Sequence, residues 1–197
     1  MDNFHNTIVE FFETKDKRLD NLPISLKRGG RRRLAEFLGK YGFNRGVEIG
    51  VQWGLYSKIL CVANPNIELH SVDPWLYSRR KGAKARAEQK FNKSITRLSL
   101  YNATVIRKKS MDALADFEDK SLDFVYIDGN HTFDYAVSDI IHWSHKVRKG
   151  GVIAAHDYYN FKNNGVMKAV EAYVHCHHID PWYVTYEHVP TALWMNP

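Results

Sequence analysis

The sequence predicts an α/β protein: a doubly wound, mostly parallel sheet of seven strands with an antiparallel hairpin at its C-terminal end. Three observations carry this. From Arg45 to Ala155, short apolar runs of strand length alternate with helical patterns, the rhythm of βαβ units. One run, Leu122–Ile127 (LDFVYI), is apolar enough to be the centre of a parallel sheet. Polar, chemistry-bearing residues collect just after the runs end, where open sheets of this kind hold their ligands.

The elements follow in order. Asn6 is a candidate cap for a first helix whose apolar positions are Ile8, Val9, Phe11 and Phe12. A second covers about Arg31 to Tyr41, with Leu34, Phe37, Leu38 and Tyr41 at helical spacing and Gly42 as its stop. Between them Lys27, Arg28, Arg31, Arg32 and Arg33 surround Gly29 and Gly30, either as a solvated helix start or as a patch for anions or nucleic acid. The stretch Arg45–Leu60 (RGVEIGVQWGLYSKIL) then reads as strand, glycine turn and helix, with Glu48 on the strand. Gly50 allows a positive φ and close approach of a ligand, and the helix start after Gly54 offers free N–H groups to one. The alternative is an ordinary tight turn between a core strand and a core helix.

A second strand, Ile67–Val72, ends at Asp73, Pro74 and Trp75. A carboxylate at that place is where a Rossmann-like sheet meets a ribose diol, although Asp before Pro also starts turns unaided. Arg79, Arg80, Lys81, Lys84, Arg86, Lys90, Lys93 and Arg97 stand against the single acid Glu88, while Phe91, Ile95 and Leu98 recur at helical spacing. This predicts a helix with a cationic outer face and no aromatics interleaved on it. Thr104–Lys108 is a third strand, with Ser110, Met111 and Asp112 opening an acidic helix that includes Leu114 and Phe117.

The fourth strand, Leu122–Ile127, delivers Asp128, Gly129, Asn130 and His131. A helix from about Phe133 to Val147, carrying Ala136, Ile140, Trp143 and Val147 on one side, leads through a Gly150-Gly151 turn to a fifth strand, Val152–Ala155. That strand delivers His156, Asp157, Tyr158 and Tyr159. A last helix, Gly165–Cys176, points Val166, Val170, Tyr173 and Val174 inward, and Trp182–Tyr186 with Thr191–Met195 forms the hairpin. The ligands of the tract His175, Cys176, His177, His178 are too close together for a recognised zinc spacing.

The chain has 197 residues, enough for one full core, and divides into N-terminal helices over 1–44, a substrate lid or oligomer contact, and a ligand-binding domain over 45–197. Hydrophobic and charged contents of 44% and 25% are those of a globular protein. No apolar run approaches membrane-spanning length and the polar start lacks a secretory signal's architecture, which places the protein in the cytoplasm with no membrane partner. Two cysteines, Cys61 and Cys176, make a disulfide framework a poor reading and buried reduced thiols a better one. A formal charge of +6 favours anionic partners without choosing among them.

The segments VEIGVQWG, VDPW, DFVYIDGNHTFDYAVSDI and KGGVIAAHDYY together resemble class I S-adenosylmethionine-dependent methyltransferases, in particular small-molecule O-methyltransferases of the sugar and macrolide type, from about Gly46 to Tyr159. The resemblance implies that Glu48, Gly50, Gln52 and Gly54 face the methionine part of the cofactor, that Asp73 holds its ribose, and that Ser110 and Met111 lie near the adenine, with Asp128 also at the cofactor. The candidate catalytic residues are Asp128, at the family's position, and His131 and His156 beside it. The resemblance further implies a divalent cation such as Mg2+ on Asp128 and Asp157, which would hold two substrate oxygens and aim one at the methyl group. Several metal-dependent relatives carry further carboxylates where Asn130 and His156 stand, so here imidazoles are candidates for a softer ion or for a general base. The implied acceptor is a small hydroxylated molecule. RNA or DNA, drawn by the two cationic segments, is the alternative acceptor, and a non-catalytic cofactor-binding protein is the alternative class. A homo-oligomer is compatible with every reading. A nicotinamide dehydrogenase is disfavoured, because Gly50 and Gly54 lack its tighter triple-glycine spacing.

Overall fold

The structure is a computed structural model that describes residues 2–14, 22–76 and 80–197. Its centre is an eight-stranded sheet in the order β1-β7-β8-β6-β5-β2-β3-β4. The strands are β1 (Ile24–Leu26), β2 (Arg45–Ile49), β3 (Glu68–Val72), β4 (Ala103–Ile106), β5 (Leu122–Ile127), β6 (Val147–Ala155), β7 (Trp182–Thr185) and β8 (Ala192–Met195). All pairings are parallel except β6 with β8 and β7 with β8, so the C-terminal hairpin is antiparallel as the sequence predicts. The expected seven strands become eight through β1, which adds in parallel to the outer edge of β7, Ile24 opposite Tyr183 and Leu26 opposite Thr185.

Consecutive strand residues face opposite sides, and this divides the core in two. Val47, Ile49, Val125 and Ile127 pack with Ile140 and Trp143 of α6 (Phe133–Lys146) and Val170 of α7 (Gly165–Cys176). On the other face, Phe124 and Tyr126 pack with Ile8 of α1 (Asp2–Phe11), Phe37 of α2 (Arg31–Lys40) and Leu60 of α3 (Leu55–Ala63). The helices ahead of Arg45 therefore supply core to the sheet itself.

Four local expectations are corrected. Asn6 lies inside α1, which begins at Asp2, so it caps nothing. Gly150 and Gly151 lie within β6, where the pairing with β5 shifts register, so the expected turn is an irregular strand start. On α4 (Ala83–Leu98) the buried positions are Ala87, Ser94 and Leu98, while Ile95 is exposed, because the helix packs against both α3 and the edge strand β4 through that one stripe. Cys61 is buried, but Cys176, at the last turn of α7, is exposed. Arg79 lies outside the described residues. None of the described helices is long and apolar enough to cross a membrane.

Candidate active site

The strand order reverses between β2 and β5: the chain runs from β2 outward through β3 and β4, then returns to β5 on β2's other side. A crevice beyond the carboxyl ends at such a switch point is the ligand position of open α/β sheets. Two loops meet there. Asp128 N donates to Ile49 O at 2.7 Å and Gly50 N to Val72 O at 2.9 Å, so the glycine turn is sewn to both neighbours. Gly50 has φ +91°, and a Cβ there would collide with the carbonyl of Asp128. Gly54, also left-handed, precedes α3, whose first turn receives no side-chain cap.

Asp73 bridges the next pair of loops. Its Oδ2 accepts from Gln52 N at 2.9 Å and its Oδ1 from Trp75 N at 2.6 Å, and Trp75 Nε1 donates to Gln52 O at 2.8 Å. The carboxylate is thus both turn residue and link, and it opens on a cavity of about 310 Å3 that Gln52, Trp75, Arg86 and Lys90 also line. Lys90 Nζ donates to Gln52 Oε1 at 3.2 Å, and Lys90 and Lys93 stand near the Trp53 ring. The fold thereby brings the Trp53 ring from the glycine turn to the lysines of α4.

Glu48 is buried on β2, where Ser57 donates to it and Ser71 donates to Ser57 at 3.2 Å. Burial pushes its pKa up to about 8, against the Ser57 hydrogen bond, with Asp128 and Asp73 adding to the rise. Because the folded value exceeds the ordinary one, the neutral carboxyl's contribution is complete below about pH 4.5 and is lost as pH rises to about 8. Glu48→Gln, whose amide still accepts from Ser57, is expected to gain stability relative to the parent by roughly 1.4 kcal/mol per pH unit inside that window. Urea melts of both proteins at pH 5.5 and 7.5 check this, and parallel profiles would contradict it.

Ser110 and Met111 reach the same rim at the start of α5 (Ser110–Ala113), but their side chains turn into α6. Ser110 Oγ donates to Asp139 Oδ1 at 2.5 Å and accepts from Trp143 Nε1 at 2.7 Å, and Ser138 Oγ donates to Met111 Sδ at 3.4 Å. Burial raises Asp139 to about 6 against that Ser110 bond.

Asp128, His131, His156 and Asp157 converge at the ends of β5 and β6. His131 Nε2 is 2.9 Å from Asp157 Oδ2 and 3.5 Å from Asp128 Oδ1. His156 Nδ1 is 3.4 Å from each of the same two oxygens. Among the described residues neither nitrogen has a partner with hydrogen-bond geometry. Asp128 and then Asp157 raise His131 to about 9. Burial lowers His156, yet the two carboxylates outweigh it and it too reaches about 9. Burial likewise opposes ionisation of Asp157, and the two imidazoles override it, holding its carboxyl below the usual carboxylate range. Asp128, His131 and Asp157 are the only group among the described residues with the spacing of cation ligands, so the His175–His178 tract is not one.

The sequence did not single out two members of this neighbourhood. Arg31 Nη1 stands 4.0 Å from Asp128 Oδ2, and Arg31 N donates to Glu187 Oε1 at 2.9 Å, which anchors the start of α2 beside the crevice. Five cations around Gly29 and Gly30 carry no mark of which one the fold will select. Asn130, by contrast, accepts from Thr132 N at 3.0 Å and Thr132 Oγ1 at 3.1 Å, so it caps the loop ahead of α6.

Three solved structures share this architecture. The chain is similar to an O-methyltransferase from Bacillus cereus in complex with SAH (13% identity, TM-score 0.64, 99% of this chain and 91% of that one). It is similar to a putative caffeoyl-CoA O-methyltransferase from Staphylococcus aureus (11%, 0.65, 99% and 91%). It is also similar to the O-methyltransferase TomG from Streptomyces achromogenes, involved in tomaymycin synthesis, in complex with SAM (16%, 0.58, 99% and 89%). These likenesses establish the fold. A curated relative, the uncharacterized protein y4gI of Sinorhizobium fredii, is 27% identical over 119 residues, which are 57% of this chain but only 13% of that protein. The family model described as a methyltransferase domain matches residues 47–158, from the strand of the glycine turn through the loop of Asp157. That match spans more than half of the 197 residues, and the chain belongs to the methyltransferase domain family.

Proposed function

We propose that the protein is a cytoplasmic methyltransferase that uses S-adenosylmethionine to methylate an oxygen of a small hydroxylated acceptor. The observation that carries this reading is the contact of two chemically different loops at the switch point, the glycine turn at Gly50 and the carboxylate–imidazole cluster after β5 and β6. The first suits the cofactor: Glu48, Gly50, Gln52 and Gly54 face its methionine part and Asp73 its ribose, while Ser110 and Met111 meet the adenine through atoms not already turned into α6. The second suits the acceptor. Two solved neighbours in the same fold hold SAH and SAM, which supports the cofactor's identity.

The bound cofactor supplies an electrophilic methyl group on a sulfonium. The acceptor hydroxyl is oriented between Asp128 and Asp157, and its proton passes to the Asp128 carboxylate as its oxygen forms the new bond to carbon. The carbon–sulfur pair returns to sulfur and leaves S-adenosylhomocysteine. His131 and His156 hold the two carboxylates in place, and Asp128 and Asp157 would also hold a divalent cation, which would lower the hydroxyl's pKa. The start of α2 forms part of the acceptor-side wall, with Arg31 beside Asp128 as its contribution.

Calorimetry with S-adenosylmethionine and S-adenosylhomocysteine, with and without Mg2+, tests this. Binding of both is expected without added metal, since the cofactor half is complete without one. No heat from either would remove the reading.

A further inference from the structure

We infer that the seam between α3 and α4 is a docking track for a single-stranded nucleic acid, with Lys58, Arg86, Lys90, Lys93 and Arg97 on the phosphates and Trp53 and Tyr101 as stacking surfaces. No residue of the carboxylate–imidazole cluster lines this seam. The inference therefore goes beyond the reading above, and it does not require the strand to be the methyl acceptor.

The sequence of α4 places its cations on one face. Arg86, Lys90, Lys93 and Arg97 recur at i, i+4, i+7 and i+11, along about 16 Å of helix. Arg86, Lys93 and Arg97 each come one residue before a buried position, Ala87, Ser94 or Leu98, so the row follows the border of the packed stripe. That border meets the glycine turn. Lys90 Nζ donates to Gln52 Oε1 at 3.2 Å, Arg97 donates to the carbonyl of Trp53, and Lys90 and Lys93 stand 5.6 and 5.9 Å from the centre of the Trp53 ring. The row then passes from the cavity lined by Arg86 and Lys90 to a larger one of about 970 Å3, lined by Lys93, Arg97, Leu100, Tyr101 and Lys58 of α3.

Charge and aromatic rings together choose the occupant. Glu88, the one acid of α4, also lines the larger cavity, but Arg107 holds it, and among the described residues none of the five cations is in an ion pair. The segment around Gly29 and Gly30 differs: Arg28 is paired with Glu13, Arg33 with Glu36, and Arg31 faces Asp128. Of the two cationic segments, α4 is thus the one whose charge is left for a partner. A row of cations alone suits any polyanion. Trp53 beside the middle of the row and Tyr101 past its end, both half-buried, add the rings that make the match specific. Binders of single strands combine these two features, with cations tracking the backbone and bases stacked on aromatic side chains. An acidic protein or an anionic membrane has no bases to stack, and a duplex keeps its own inside.

The test titrates the full chain, without cofactor, into a labelled oligothymidylate of about twelve nucleotides. Five phosphate contacts give a salt slope near −3.5, so binding at low salt is expected to weaken about a hundredfold between about 50 and 200 mM salt. Lys58→Ala/Lys93→Ala is expected to reduce that slope by about 1.4. Trp53→Ala is expected to weaken binding at least about fivefold with the slope unchanged. Arg32→Ala, an exposed cation of the other segment, is the control expected to bind within about twofold of the parent. Thermal melts establish that each variant folds. S-adenosylhomocysteine titrations of the parent and of Lys58→Ala/Lys93→Ala, expected to agree, keep this result separate from the fate of the proposed cofactor. No binding at low salt, equal affinity for inorganic polyphosphate, a duplex of the same length or anionic lipid vesicles, or a loss that follows Arg32 and spares Lys58 and Lys93, would overturn the inference.

Discussion

Asp157→Asn is expected to lower methyl transfer by about 10²–10⁴-fold while S-adenosylhomocysteine binds within about threefold of the parent. The substitution suits its place. Asp157 is nearly buried and left-handed, with φ +62°, and asparagine is among the few side chains that accept such a backbone. Its shape is kept and only the charge is lost, at the position where His131 stands 2.9 Å away and His156 3.4 Å away. Without that charge the imidazoles lose one of the two carboxylates that raise their pKa values, and each is expected to titrate below about 9. The glycine turn touches Asp128 and makes no hydrogen bond to Asp157 among those described, which is why cofactor affinity should survive. Steady-state rates paired with calorimetry on the same sample decide the matter. Turnover within threefold of the parent would take Asp157 out of the chemistry, and a parallel loss of cofactor affinity would make it a structural residue of the whole rim.

The parts of this molecule that were legible in the sequence are those fixed by local pattern. Strands β2 to β6 are short apolar runs whose ends carry polar residues, and the α/β alternation sets the side of the sheet on which those ends emerge. Asp73 could be placed because its position follows from the strand before it. Strand β1 could not: Ile24–Leu26 is three residues with two inward, and it exists because β7, at the far end of the chain, offers an open edge. The same holds for Arg31. Its neighbours Arg32 and Arg33 have the same chemistry, and only the docking of α2 on Glu187 decides which guanidinium faces Asp128. Ser57 and Ser71, which join Glu48 in a buried relay, sit on a helix and a neighbouring strand with no shared signature. His156 was visible as a candidate, but its equal approach to two carboxylates is a property of the β5–β6 register.

Gly50→Ala is expected to cost roughly 3 kcal/mol or more of stability and to abolish measurable cofactor binding. A left-handed backbone alone accounts for about 1–2 kcal/mol of that. The larger part is steric, because the new Cβ meets the carbonyl of Asp128 and the Cα of Gly129, which are backbone atoms and cannot rotate away. Retreat of that loop would break the hydrogen bond from Asp128 N to Ile49 O, the contact that holds β5's end against β2's. Gly54→Ala is the internal comparison. Its backbone is also left-handed, but its Cβ would stand 3.2 Å from Ser94 Cα and Cβ, a contact that a shift of a few tenths of an ångström relieves, whereas at Gly50 the nearest backbone atom is far inside contact distance. Urea melts are therefore expected to rank Gly50→Ala well below Gly54→Ala. A Mg2+ titration adds a further reading, since a displaced Asp128 loop moves one of the two carboxylates that would hold the cation. If Gly50→Ala loses cofactor and Mg2+ affinity together, the glycine joins two halves of one site. If it loses the cofactor alone, the halves are mechanically independent, and the missing Cβ serves only the ligand that lies on the turn.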